Sequence, residues 1–359
     1  MPRKTEVPFR ARRLPVPWPA WVALYALLII PCSIKAQETN ELPRGESAGS
    51  AFKLGVQVDL VVMHTSVFDK DGHFVTGLEP ANFRLHEDGK EQEIVSFAQE
   101  DVPLTIGILL DTSGSMRQEM EQVNNAALAF IEASHAEDEV FLIGFNDEVE
   151  LLQDYTSDID EIRDSLDNTV VAGGTVLYDA IYLGVQKAQA GSRGKKAVVV
   201  ITDGEDKDSY YKLEELLSKV QEADVQVFCV GFIEEIPTRS LFGRWSNIGA
   251  KKVMDALNRI AEETGGKAYF PQRVAEIHAI VAEIARELRT QYSIGYVSSN
   301  GARDGSFRRV KISLAGTGRK DLRIRHRRGY YAASAVPAAA EKGEGRAPFS
   351  PGTAPDPAR

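Results

Sequence analysis

Cysteine is nearly absent: two in 359 residues exclude a disulfide-stapled fold. Cys32 lies in an N-terminal segment expected to be removed, so Cys229, inside the mostly apolar run 225–230, is read as a small buried hydrophobe with no redox role. The six histidines (His64, His73, His86, His135, His278, His326) show no metal-ligand spacing, which argues against an imidazole site for zinc and gives no catalytic base. A glycine-rich phosphate loop ending in Lys is missing, and no G-x-S-x-G elbow surrounds Ser113 or Ser115, so nucleotide hydrolysis and serine hydrolysis have no support. No internal repeat is visible. The longest early apolar run, 21–30, falls short of the ~20 residues of a spanning helix.

The composition is that of a soluble globular chain with room for about two domains: 43% hydrophobic, 26% charged, 8% aromatic and a net charge of -10. Charge is unevenly spread. Residues 1–36 hold six basic residues (Arg3, Lys4, Arg10, Arg12, Arg13, Lys35) against the single acid Glu6, which leaves the remainder more acidic than the whole. Such a body repels phosphate backbones, so no nucleic-acid partner is expected; 319–328 is the one basic patch beyond the N-terminal segment. The basic start, the apolar run, then Pro31 and Ala36 make residues 1–36 a secretory signal cleaved near Ala36. The chain is therefore expected to be exported, periplasmic or secreted, and to meet a membrane only if that segment stays uncleaved.

Residues 37–52 read as a flexible lead-in. Residues 53–100 read as a β-module with period-two apolar positions at Val56, Val58, Leu60 and Val62 and turns at Asp71-Gly72 and Asp88-Gly89. Asp69 to Gly72 begins like a calcium loop but lacks the later ligands, so it is read as a hairpin. From 101 to 290 apolar strands (104–110, 139–145, 197–202, 225–231, 267–270) alternate with amphipathic helices (near 116–134, 178–190, 208–222, 251–264, 274–289), the pattern of an α/β, doubly wound, mostly parallel sheet. Met120, Val123, Ala127, Phe130 and Ile131 show the three-four spacing of a buried helix face. The stretch 234–250, with Phe242, Trp245, Arg239 and Arg244, is read as a loop. Strands return at 292–297, 307–314 and 322–326, and residues 291–332 are expected to complete the β-module from the other flank; 333–359 read as a disordered tail.

The segment Asp111-Thr112-Ser113-Gly114-Ser115 directly follows an apolar strand, Gly173-Gly174-Thr175 precedes a helix, and Thr202-Asp203-Gly204 follows another apolar strand. In open parallel sheets ligands sit beyond the carboxyl ends of strands, where these loops belong. Asp111, Ser113, Ser115, Thr175 and Asp203 offer only hard oxygens, a set suited to Mg²⁺, with Mn²⁺ or Ca²⁺ as alternatives. Taken singly, Ser113, Ser115 and Thr175 could be helix caps and Asp203 a turn residue. Five such residues on three loops favour a metal.

The same three motifs resemble the metal ion-dependent adhesion site of von Willebrand factor A domains, over about 101–290. The flanks at 67–72, 83–89 and 327–331 also resemble a subfamily of exported bacterial proteins that contain such a domain. The resemblance implies a divalent ion held by Ser113, Ser115 and Thr175 directly and by one or both of Asp111 and Asp203 through water, and a free coordination position for a carboxylate on a protein partner. It implies an adhesion or scaffold module with no catalytic residue. Two other readings stand beside it: a metal-dependent hydrolase at Asp111 and Asp203, which lacks an evident general base, and a scaffold that binds without the ion. An aspartic peptidase does not fit, because Thr112 is followed by Ser113 and the aspartates end strands of an α/β pattern.

Overall fold

Apolar stretches with no polar face bury on both sides, and the computed structural model places them at the centre of a parallel sheet between helices. The structure describes residues 59–99, 101–132, 134–233, 241–318 and 321–334, with backbone alone for 241–248. All lie within the compact unit Val56–Arg359. The readings of 1–36, 37–52 and most of 333–359 fall outside the described residues.

The first strands are β1 (Leu60–Phe68), β2 (Phe83–Glu87), β3 (Lys90–Gln92) and β4 (Ile94–Ala98). There follow β5 (Leu104–Asp111), α1 (Met120–Glu132), β6 (Glu139–Phe145), β7 (Val149–Thr156), α2 (Ile159–Asp167), α3 (Leu177–Ala190) and β8 (Lys195–Thr202). Then come α4 (Leu213–Glu222), β9 (Gln226–Gly231), α5 (Leu241–Thr264), β10 (Ala268–Tyr269) and α6 (Ile277–Thr290). The chain continues through β11 (Tyr292–Val297), β12 (Phe307–Leu314), β13 (Arg323–His326) and β14 (Gly329–Tyr331).

The central sheet runs β10-β9-β8-β5-β6-β7, parallel except for the β6–β7 pair. All eight residues of β5 are buried, as its position between β8 and β6 requires. Alternate strand residues feed two cores: Ile106, Ile108 and Leu110 meet α1 and α6, while Leu109, Val198 and Val200 meet α3, α4 and α5. Cys229 is buried on β9, where burial pushes its thiol up to about 12, as expected of a packing residue.

Strands from both flanks build two antiparallel sheets, β13-β1-β11-β4 and β14-β12-β2-β3. Their core, including Met63, Leu85, Tyr292, Tyr296 and Ile312, is a separate cluster. The Asp88-Gly89 turn has positive φ at both residues, 48° and 83°, the geometry a two-residue hairpin demands.

Several local expectations need correction. The inward phase of β1 is the opposite of the one expected: Val61 and Met63 are buried while Leu60 is 52% exposed. Both faces of this strand are apolar, so its phase is set by pairing, with Val61 opposite Tyr296 and Met63 opposite Ile294. Residues 241–250 are the start of α5 and not a loop. The helix expected from 208 begins at Leu213, because 203–212 is held as a loop by the contacts described next. The antiparallel edge strand β7 and helix α2 were not anticipated.

Candidate functional site

Three loops leave the carboxyl ends of β5 and β8 and the start of α3, and they bring the five predicted residues together. Asp111 is the last residue of β5 and fully buried; its Oδ1 accepts the Ser113 backbone N–H at 2.9 Å and its Oδ2 accepts the Thr202 hydroxyl at 2.6 Å. The hydroxyls of Ser113 and Ser115 lie 3.1 Å apart, and that of Ser115 donates to Asp203 Oδ1 at 3.0 Å. A Cβ built on Gly204 would touch Thr175 Oγ1 at 3.4 Å and Asp111 Oδ2 at 3.7 Å, which puts these two oxygens together beside the third loop.

The capping alternative is not realised. Ser113 stands at the N-cap of the short 3-10 turn 114–118 but makes no side-chain capping bond, and the N-cap of α3 is Val176, one residue after Thr175. Burial pushes the Asp111 carboxyl above the ordinary carboxylate range against the opposing bonds from Ser113 and Thr202. Asp203 is raised by burial first and by the Asp111 charge second.

Two residues outside the predicted set shape the site. Thr202 fixes Asp111, and it was visible in the Thr-Asp-Gly motif. Asp147, on the loop between β6 and β7, accepts the Gly174 N–H at 2.6 Å, and no local motif announced it. Gly173 has φ +81°, a conformation that favours glycine, and a Cβ there would lie 2.2 Å from Asp147 Oδ2 and displace that carboxylate. The segment 205–212 is stitched to the start of α3: Lys207 N–H donates to the Thr175 carbonyl at 3.1 Å, and the Asp179 carboxylate accepts the N–H groups of Tyr210 and Tyr211 at 2.8 and 3.0 Å.

A cation suits this arrangement on geometric grounds. Adjacent oxygens around an octahedral ion with bonds of about 2.1 Å stand about 3.0 Å apart, which is the spacing Ser113, Ser115 and Asp203 already have. The charges acting on Asp203 from its neighbours Asp111 and Glu119 are of one sign.

The profile described as von Willebrand factor type A domain matches residues 105–283. The chain carries a von Willebrand factor type A domain. The match spans β5 to the middle of α6 and leaves both flanks outside it. Among solved structures, a von Willebrand factor type A protein from Catenulispora acidiphila is 11% identical, with 77% of this chain and 74% of that one covered and a TM-score of 0.44. An aerotolerance-related membrane protein from Bacteroides fragilis is 20% identical over 51% of this chain and 99% of its own, TM-score 0.40. Proximal thread matrix protein 1 from the mussel byssus, whose metal ion-dependent adhesion site holds zinc, is 13% identical over 53% and 49%, TM-score 0.42. No curated protein matches the chain.

Among the described residues Asp69, Asp71 and His73 also cluster. Asp69 Oδ1 closes a turn by accepting the N–H groups of Asp71 and His73, and Lys70 sits on Asp71, which accounts for the cluster without an ion. No helix among the described residues is long and apolar enough to cross a membrane.

Proposed function

We propose that the von Willebrand factor A domain is a metal-dependent protein-recognition module. The convergence of Ser113, Ser115, Thr175, Asp111 and Asp203 carries this reading, with the Ser113 and Ser115 hydroxyls beside each other, Ser115 bonded to Asp203, and Thr175 and Asp111 oxygens together beside Gly204. Ser113, Ser115 and Thr175 would hold the ion, and Asp111 and Asp203 would orient them and balance its charge. Mg²⁺ is the ion we favour, with Mn²⁺ and Ca²⁺ as alternatives. Because hydroxyl ligands bring no charge, the bound ion supplies a positive centre that attracts a carboxylate on a protein partner. We assign no catalytic residue.

The domain reading belongs to the same proposal: 101–290 as the recognition domain, 53–100 with 291–332 as one β-module, and 1–36 as a signal that sends the protein to the periplasm or the medium, as in exported bacterial proteins of this kind. Binding of Mn²⁺ by the wild-type chain, followed by its paramagnetic resonance, tests the site. Uptake of the ion that is lost in Asp111→Ala supports it. A pull-down from envelope fractions in Mg²⁺ and in EDTA then separates ion-bridged recognition from scaffolding, which would survive the chelator.

A further inference from the structure

Around the site, exposed apolar side chains are few and oddly placed. Of the large hydrophobics exposed among the described residues, the two most exposed, Val170 at 74% and Tyr210 at 83%, both sit on loops of this face. The others, Leu60, Val95 and Val297, lie on the antiparallel sheet. Val170 precedes Thr175 by a few residues, on the loop whose Ala172 N–H donates to the Thr112 carbonyl at 2.9 Å. Tyr210 is tethered through Asp179 at 2.8 Å to the first turn of α3, just after Thr175, so both exposed residues lie on loops joined to those that carry the predicted site.

Tyr210 is exposed by construction. Its backbone is clamped by Asp179, and its ring stands edge-on against Tyr211 at 5.2 Å, which in turn packs on Tyr182 at 4.3 Å. A solvent-facing tyrosine with a held backbone and only two side-chain torsions loses little conformational freedom on binding and supplies large contact area, the properties of an interface anchor. The surrounding charge is predominantly negative. Asp147, Glu148, Glu205 and Asp208 are exposed on the same loops, with Asp203 and Asp206 half-buried beside them, against Arg117, Lys207 and Lys212. Arg117 already donates to the Val171 carbonyl, and Lys252 approaches Glu205 at 3.7 Å. Asp147 and Asp208 approach the same face of Gly174, beside Thr175.

We propose that this face recognises a basic protein segment: a carboxylate for the ion, flanked by Lys or Arg, with an Arg or apolar side chain laid on the ring of Tyr210. The inference rests on the metal reading above and adds the partner's chemistry to it. A bare acidic segment would meet the ion but also the repulsion of the rim. Basic flanks convert that repulsion into attraction and steering, and Tyr210 offers its face to a guanidinium.

The test uses the full chain and immobilised short peptides with a central Asp flanked by Lys/Arg, by Ser/Gly, or by Glu. In Mg²⁺, Lys/Arg-flanked peptides are expected to be retained about tenfold better than Ser/Gly-flanked ones, with the preference shrinking as salt is raised. Asp208→Lys should erase that preference, and Tyr210→Ala should weaken binding about fivefold while Tyr210→Phe keeps it. Both positions are exposed, and an unchanged thermal transition certifies the fold. Equal retention of the three peptide sets, or indifference to Tyr210→Ala, overturns the inference. If no peptide binds, the inference is also overturned, and Mn²⁺ uptake by the same samples decides whether the metal reading falls with it.

Discussion

The two ends of the central sheet handle charge in opposite ways. At the carboxyl ends, Asp111 and Asp203 are drawn together with hydroxyls, and among the described residues no cationic side chain is paired with them; each carboxyl is raised by burial and Asp203 also by its neighbour. At the amino ends several acids, among them the most deeply buried, have basic partners. Glu287, fully buried on α6, accepts from Ser66 at 2.7 Å and pairs with Arg325; Asp138 pairs with Arg289; Asp224 holds Arg327 at 2.9 Å; and Arg328 reaches Glu263 and Glu262 at 2.7 and 2.9 Å. Three arginines of the basic patch are thus committed to joining the antiparallel sheets to the α/β layer. Charge that is paired within the chain holds the fold together, and charge left uncompensated is available to a ligand.

The largest effect should come from breaking the paired end. Arg325→Ala strands the buried carboxylate of Glu287, whose Oε2 has no hydrogen-bond partner among the described residues, and is expected to cost about 3–5 kcal/mol in urea unfolding. Replacing both Arg325 and Glu287 by Leu should recover most of that loss; a single mutant within about 1 kcal/mol of wild type would show that the pair is not what joins the layers. At the unpaired end the expected gain is extrinsic: Mg²⁺ at a hundred times its dissociation constant should stabilise the chain by about 2.7 kcal/mol, and Asp111→Ala should not respond.

A third effect separates the ends by pH. His64, at the amino end, hydrogen-bonds Ser293 at 3.2 Å, and burial with the positive charges of Lys195 and Arg327 lowers its pKa from 6.5 to about 3. The unfolded chain therefore takes up a proton below about pH 6.5 that the folded chain refuses until near pH 3, so stability falls as the solution is acidified through that window. By pH 5 His64 should account for a loss of roughly 2 kcal/mol, on about 1.4 kcal/mol per pH unit. Urea midpoints at pH 7 and pH 5, for wild type and His64→Gln, check it; an equal slope in both would assign the loss elsewhere.

This asymmetry explains what could be read from the sequence. The α/β layering was legible because buried parallel strands such as β5 have no polar face to confuse with anything else, and the convergence of the five candidate residues because each lies within four residues of the end of β5 or β8 or the start of α3. The phase of β1 was not legible, since Leu60, Val61, Val62 and Met63 are all apolar and only the register with β11 chooses between faces. The edge strand β7 is missing from the sequence reading because none of its residues is fully buried, and helix α2 because it is short and buries only Ile162 and Leu166, so the apolar signal of both is thin. Asp147 reaches Gly174 across 27 positions, a contact made by tertiary structure and invisible in any local motif. Whether 101–290 is a domain in its own right follows the same logic: its two cores are separate from that of the antiparallel sheets, and the fragment alone is expected to unfold cooperatively.

The smallest effect is the most discriminating. Asp203→Asn removes one of two neighbouring charges and retains an oxygen able to accept the Ser115 hydroxyl. Without an ion the relief of repulsion should leave stability equal to wild type or raised by up to about 1 kcal/mol, the reverse of what removing Arg325 does to a charge of the same sign. With Mg²⁺ the order should invert, because the wild type alone gains the binding energy. Paired urea titrations in EDTA and in Mg²⁺ read both signs. A loss of several kcal/mol in EDTA would mean that Asp203 holds the loop as Glu287 holds α6, and the contrast between the two ends of the sheet would collapse into a single structural role.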